Sequence, residues 1–449
     1  MLRWRTPARS AGRSAALSIA ATLVVAAAIA CAARTPVRQP AAARRTADGD
    51  VAGPARTARS AGPRDASSRT VRIALASRAP QVRLTSDGDW ALYAADGQTL
   101  LGMPQPRESW LLESDGRTVS ARREDSRAVP LRDSPVVVRP ASEGGTITFN
   151  GKRWRGELLV SVADGTLLVV NRLRMDDYLK GVVPLEIGTA ALGDAAAVEA
   201  QAVTARSYAV MHLAGTNRPY DMSATVQDQV YGGASAETAV GSQAVDATAG
   251  LVLLYDGRVV NAPYHSTCGG TTAEPEDVWR SGGEPYLQRV SDQIPGTDRF
   301  YCDGAPRFRW TRTFTGSQLR ESVARYVRSL PGGPAGVGAV RAVTVADVTP
   351  GRRVATLTID TDRGQWALRG NEVRAALRLP SGELLYSTYF SVDAVVGSAG
   401  VESLTLRGGG NGHGVGMCQA GAIGRARAGQ DFRTILGTYY PGTTVGPID

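Results

Sequence analysis

The run from Asn171 to Gly188, Asn-Arg-Leu-Arg-Met-Asp-Asp-Tyr-Leu-Lys-Gly-Val-Val-Pro-Leu-Glu-Ile-Gly, constrains this chain more than any other. It continues a short apolar stretch, Thr166 to Val170, that reads as a strand, and it precedes an alanine-rich segment that reads as a helix. Pro184 presets its own φ and removes a backbone donor, so the chain is stiff just before Glu186. The neighbours Val182, Val183, Leu185 and Ile187 can raise the Glu186 carboxyl pKa by desolvation. A general acid working near neutral pH needs such a rise. The plain alternative is a surface glutamate ahead of a helix.

That helix is expected after Asp194, an N-cap candidate. Val198, Ala202, Ala205, Ala209 and Leu213 recur at three or four residues and predict one buried stripe. Arg206 lies seven residues from Glu199, so a local ion pair is one natural fate for it. Upstream, Val71–Ala76, Trp90–Ala94, Val136–Arg139 and Leu158–Val162 read as strands punctuated by turn residues. Residues 70–165 are therefore expected to form a β-rich module. Leu251–Tyr264 reads as a hairpin around Asp256-Gly257. A helix near Ser317–Leu330 and a hairpin over Val354–Leu368 are expected in the stretch 285–400, a candidate inserted subdomain. The fold class is mixed α+β.

Export is written into the N-terminus. Arginines at positions 3, 5, 9 and 13 precede an apolar stretch to Ala33, the layout of a signal peptide or N-terminal anchor over residues 1–33. Ala28-Ile-Ala-Cys31 resembles an imperfect lipidation box, so a lipoprotein anchored through Cys31 is an alternative to simple secretion. Residues 34–69 set arginines among Ala, Pro, Gly and Ser, a composition expected to remain a disordered tether. Part of the net charge of +9 sits here, where it suits anionic wall polymers or lipid headgroups. No basic stripe with interleaved aromatics points to nucleic acid.

Three further segments are distinctive. They are Gln229-Val-Tyr-Gly-Gly233, Tyr264-His-Ser-Thr-Cys-Gly-Gly-Thr-Thr272 with Val278-Trp279 after it, and Gly410-Asn-Gly-His-Gly-Val-Gly-Met-Cys-Gln419 with Ile435–Thr443 beyond. The last is glycine-rich but lacks the Gly-Lys-Ser/Thr ending of a phosphate loop, which argues against nucleotide binding. In order and spacing these segments, with Pro184-Leu-Glu186, resemble the SpoIID/LytB family of bacterial cell-wall proteins, over residues from about Trp154 to Thr443. Two positions depart from the family pattern. Cys418 stands where serine is usual, and Met222–Asp228 lacks the cysteine many members carry there.

The resemblance implies a SpoIID/LytB-type domain over 166–449 and peptidoglycan glycan strands as substrate. One branch of the family is a lytic transglycosylase, whose catalytic acid falls on Glu186. Another is described as enhancing a wall amidase, which makes other wall hydrolases candidate partners. Gln201, Arg206, Gln229, Tyr231, His265 and His413 are the candidates for contacting glycan, with a loop-locking structural role as the alternative for His413. A lone carboxylate suits transglycosylation, because the sugar's C6 hydroxyl supplies the attacking group that ordinary glycosidases obtain through a second carboxylate. The reaction requires no cofactor.

The cysteines leave two structural options. His265-x-x-Cys268 with Cys302 could supply three ligands to a structural zinc. A Cys268–Cys302 disulfide would instead close a loop worth roughly 3 kcal/mol, and export favours the disulfide.

Overall fold

The structure, a computed structural model, describes residues 69–126, 131–188, 192–213, 215–279 and 282–448. The expected export segment with Cys31, and all but the last residue of the 34–69 tether, lie outside the described residues. Among the described residues no helix is long and apolar enough to cross a membrane.

All four strands expected upstream of residue 165 form. All four lie in the larger of two sheets that share one core. The larger runs Met222–Ser223, Thr70–Ala79, Thr166–Arg174, Glu157–Ala163, Val136–Pro140, Trp90–Tyr93, Leu100–Gly102 in spatial order. The smaller has six strands, with Gln81–Thr85 and Trp110–Ser114 at its centre. Alternation along Gln81–Thr85 sends Val82 and Leu84 inward, where they meet Val71, Ile73, Trp90, Leu92 and Leu112. The expected boundary at 165/166 falls in the tight turn of a hairpin, with Ala163 paired to Thr166. Strand Thr70–Ala79 also pairs with Thr166–Arg174, and the apolar core runs on without a break into the helical region.

The centre of that region is the helix Ala195–Met211. The predicted single stripe proves too narrow: twelve of the helix's seventeen residues are buried, Gln201, Thr204, Arg206 and Ser207 among them. Helices Ala239–Ala247, Gln419–Arg427 and Phe432–Tyr439 and strand Val252–Tyr255 pack around it, and its alanines let them approach closely. The strand leads into the expected tight turn, where Asp256 and Gly257 both take positive φ (53° and 71°) as a type I′ turn requires.

A second core, separate from the first, is built from residues between Trp310 and Leu406. It holds two three-stranded sheets and the helices Gly316–Arg328 and Asn371–Ala376. Thr315 and Gln318 close a reciprocal capping box at the start of the first helix. The chain enters on strand Trp310–Thr315 and leaves on Gly400–Gly408, and these two strands are antiparallel neighbours with Trp310 opposite Gly408. Residues before and after this unit therefore return to the same place in the larger core.

Candidate active site

Glu186 does not lie in an extended link between strand and helix. Two short helices intervene, Met175–Lys180 and Val183–Ile187. Asp176 and Asp177 favour the positive N-terminus of the first, and Pro184 sits in the first turn of the second. Glu186 thus projects from a helix only five residues long, held by Val182, Val183 and Ile187 in the core.

Glu186 is buried, at 9% exposure. Its Oε1 accepts a 2.8 Å hydrogen bond from the Val230 amide, and the Tyr264 hydroxyl also bonds to it. Burial outweighs both bonds, so the carboxyl pKa is raised to about 7. Gln229 fixes this arrangement from behind. Its Oε1 accepts from the Tyr178 hydroxyl at 3.1 Å, and its Nε2 donates to the Tyr264 hydroxyl at 3.1 Å.

Glu186 lines a cavity of about 340 Å³. The polar side chains around it are Ser266, Tyr301, Gln419 and Arg427, and the apolar ones include Leu185, Ile187, Pro306 and Ile423. Among the described residues, Glu186 is the single carboxylate that lines it. Asp194, close behind the wall, is neutralised by Arg427 at 2.6 and 3.0 Å. The cavity is assembled by parallel pairing of Tyr264–His265 with Met417–Cys418, which sets Ser266 beside the helix Gln419–Arg427. Gly424 in that helix lies against the Tyr301 carbonyl so closely that a Cβ would stand 2.0 Å from it.

None of the six side chains expected to touch glycan lines this cavity. Gln201 is fully buried and accepts from Gln419 Nε2 at 3.2 Å, so it reaches the cavity through a neighbour. Arg206 pairs with Asp176 at 2.9 Å instead of Glu199, and donates to the carbonyls of Val245, Thr248 and Leu251. A guanidinium at 0% exposure needs every donor satisfied, and these partners on neighbouring elements supply that. Gln229 is the bridge between two tyrosines described above. Tyr231 packs between Trp154 and Tyr178 and donates to Asn171 Oδ1 at 2.8 Å.

The two motif histidines are also interior. His265 Nδ1 contacts the Val415 carbonyl at 3.2 Å. His413 Nε2 contacts the Tyr264 carbonyl at 2.8 Å, while its Nδ1 accepts from the Val415 amide. Burial, with Arg374 and Arg353 nearby, lowers the His413 pKa to about 3, so it is a neutral lock on the glycine-rich loop. Ser266, Tyr301, Gln419 and Arg427 went unrecognised in the sequence. Successive residues of an extended chain face opposite sides, so Ser266 reaches the cavity because His265 does not.

The expected disulfide does not form either. Cys268 and Cys302 are free thiols with their sulfurs 3.5 Å apart. His265 is not part of their group, which contains Cys418 and Asp292 instead.

Comparison with known proteins agrees with the motif reading. A family model described as stage II sporulation protein matches residues 163–255, and a domain of unknown function, DUF8618, matches residues 294–416. An uncharacterized protein of Brachyspira hyodysenteriae is 31% identical over 300 residues, covering 66% of this chain and 73% of its own. The amidase enhancer of Bacillus subtilis is 31% identical over 293 residues, 60% of this chain and 40% of the relative. Stage II sporulation protein D of the same organism is 27% identical over 343 residues, 73% of this chain and 89% of the relative. With its glutamate segment inside the matched region and relatives of both names aligned over most of its length, the chain belongs to the SpoIID/LytB family of bacterial cell-wall proteins.

Proposed function

We propose that this protein is an exported lytic transglycosylase that cuts the MurNAc–GlcNAc bond of peptidoglycan. The observation that carries the proposal is one buried carboxyl group with its pKa raised to about 7, set in the wall of a cavity that no other carboxylate lines among the described residues. Glu186 in its protonated form donates to the leaving glycosidic oxygen. The carboxylate then takes the proton of the MurNAc C6 hydroxyl as that oxygen bonds to C1, which closes a 1,6-anhydro ring. No second carboxylate is needed, because the nucleophile belongs to the substrate. Ser266, Tyr301, Gln419 and Arg427 are placed to bind the sugars and their substituents.

The test is mass spectrometry of purified, peptide-stripped glycan strands after incubation with the protein. Products ending in 1,6-anhydroMurNAc are expected, and none with Glu186→Gln. A second reading rests on the likeness to the amidase enhancer, 31% identical over 293 residues. In it the same cavity binds glycan without cutting, and a wall amidase is the partner. Stimulation of an added amidase that survives Glu186→Gln, together with no anhydro products on any glycan preparation, would decide for that reading.

A further inference from the structure

The sulfurs of Cys268, Cys302 and Cys418 and a carboxylate oxygen of Asp292 all lie within 4.8 Å of one another, and all four residues are buried. Cys268 Sγ stands 3.5 Å from Cys302 Sγ and 3.3 Å from Asp292 Oδ2. Four donors around one tetrahedral zinc, with Zn–S bonds of about 2.3 Å, stand about 3.8 Å from each other. We propose that these four residues bind a single structural zinc ion through three thiolates and one carboxylate. The inference does not depend on what Glu186 does.

The surroundings of the group are those of a metal centre. Asp292 Oδ1 is engaged from outside by the Tyr439 hydroxyl at 2.6 Å and by Arg425 at 3.1 and 3.3 Å. That aims Oδ2 at the sulfurs, as an outer layer does for a ligating carboxylate. Backbone amides point at the sulfurs as well. Cys268 and Gly421 donate to Cys418 Sγ at 3.2 and 3.3 Å, and Gly270 donates to Cys268 Sγ at 3.3 Å. Soft thiolates select zinc over magnesium or calcium, and four protein donors leave no open position for catalysis. Binding would release the thiol protons to solvent as the sulfurs become thiolates. A Cys268–Cys302 disulfide explains less, because it would leave Cys418 and the aimed oxygen of Asp292 facing a spent pair.

Each cysteine adjoins a cavity-lining residue. Cys268 is two residues from Ser266, Cys302 follows Tyr301, and Cys418 precedes Gln419. The ion would therefore fasten three separate stretches of the cavity wall to one point.

The experiment is elemental analysis of the full chain purified from zinc-supplemented medium, with non-reducing peptide mapping of the same sample. About one zinc per chain is expected, with Cys268, Cys302 and Cys418 alkylated only after chelation and unfolding. Cys302→Ser should lower zinc to below about a tenth of that. If that variant does not fold, Tyr439→Phe keeps all four ligands and should weaken zinc affinity about 10–100-fold in a chelator competition. Folded wild-type protein free of zinc, a Cys268–Cys302 disulfide in the map, or full zinc retained by Cys302→Ser or unchanged affinity in Tyr439→Phe would each overturn the proposal.

Discussion

Replacing Glu186 by glutamine tests the central argument through stability as well as catalysis. Gln keeps the shape and can still accept from the Val230 amide, but it cannot ionise. In the wild type the carboxyl pKa rises from 4.5 unfolded to about 7 folded, with burial as the cause. A group that holds its proton more tightly when folded lends stability that is fully present below the unfolded pKa. That stability is lost as pH rises through the folded pKa. The span is worth about 1.4 kcal/mol per unit, or about 3 kcal/mol by pH 8. Wild type and Glu186→Gln should thus be nearly equal in urea unfolding at pH 4.5, with the variant gaining up to about 3 kcal/mol by pH 8. Its rate of anhydro-product formation should fall roughly 10²–10⁴-fold, and the wild-type rate should decline above about pH 7. A stability difference that stays constant from pH 4.5 to pH 8 would refute the burial argument, whatever happens to activity.

Other outcomes follow from the same geometry. Tyr231→Phe should cost about 1–3 kcal/mol by stranding the buried Asn171 oxygen, with no change in KM for glycan, measured by denaturation and steady-state cleavage. Arg427→Ala should raise KM for glycan strands and also lower the melting temperature, since it removes the cation beside the buried Asp194 carboxylate. Gly424→Ala should destabilise by about 1–3 kcal/mol and shift the Tyr301 wall, which glycan titration would detect as weaker binding. Chelation of the proposed zinc should lower the melting temperature of the wild type and leave that of Cys302→Ser unchanged.

Much of this was legible in the sequence, for identifiable reasons. Strands such as Leu158–Val162 declare themselves by apolar content, and Asp256-Gly257 by the positive φ that its turn demands. Pro184 and its apolar neighbours allow a buried Glu186 but equally a surface one; the family-like motifs around them are what single it out. The rest depended on direction in space. Motif polar residues such as Gln229 and His413 stand out by letter, yet they serve the interior. A sequence does not say which of two neighbours, His265 or Ser266, faces a cavity, because that depends on how the second and third motifs, far apart in the chain, pair with each other. Asp292 and Cys418 joined the cysteine group in the same way, from segments with no spacing signal between them.

The adjacency of Trp310 and Gly408 bears on how such a chain can change over time. To the rest of the fold, everything between those two residues is one oversized hairpin. It can lengthen, shrink or be exchanged without rerouting any other element. Among the ties that restrain it, one reaches deepest toward the cysteines: Arg353 crosses from the insert to the carbonyls of Cys268 and Thr271, at 3.0 and 3.2 Å. A lineage that discarded the insert would inherit two bare carbonyls beside the cysteine group. It would need some new donor there before the loss could be tolerated.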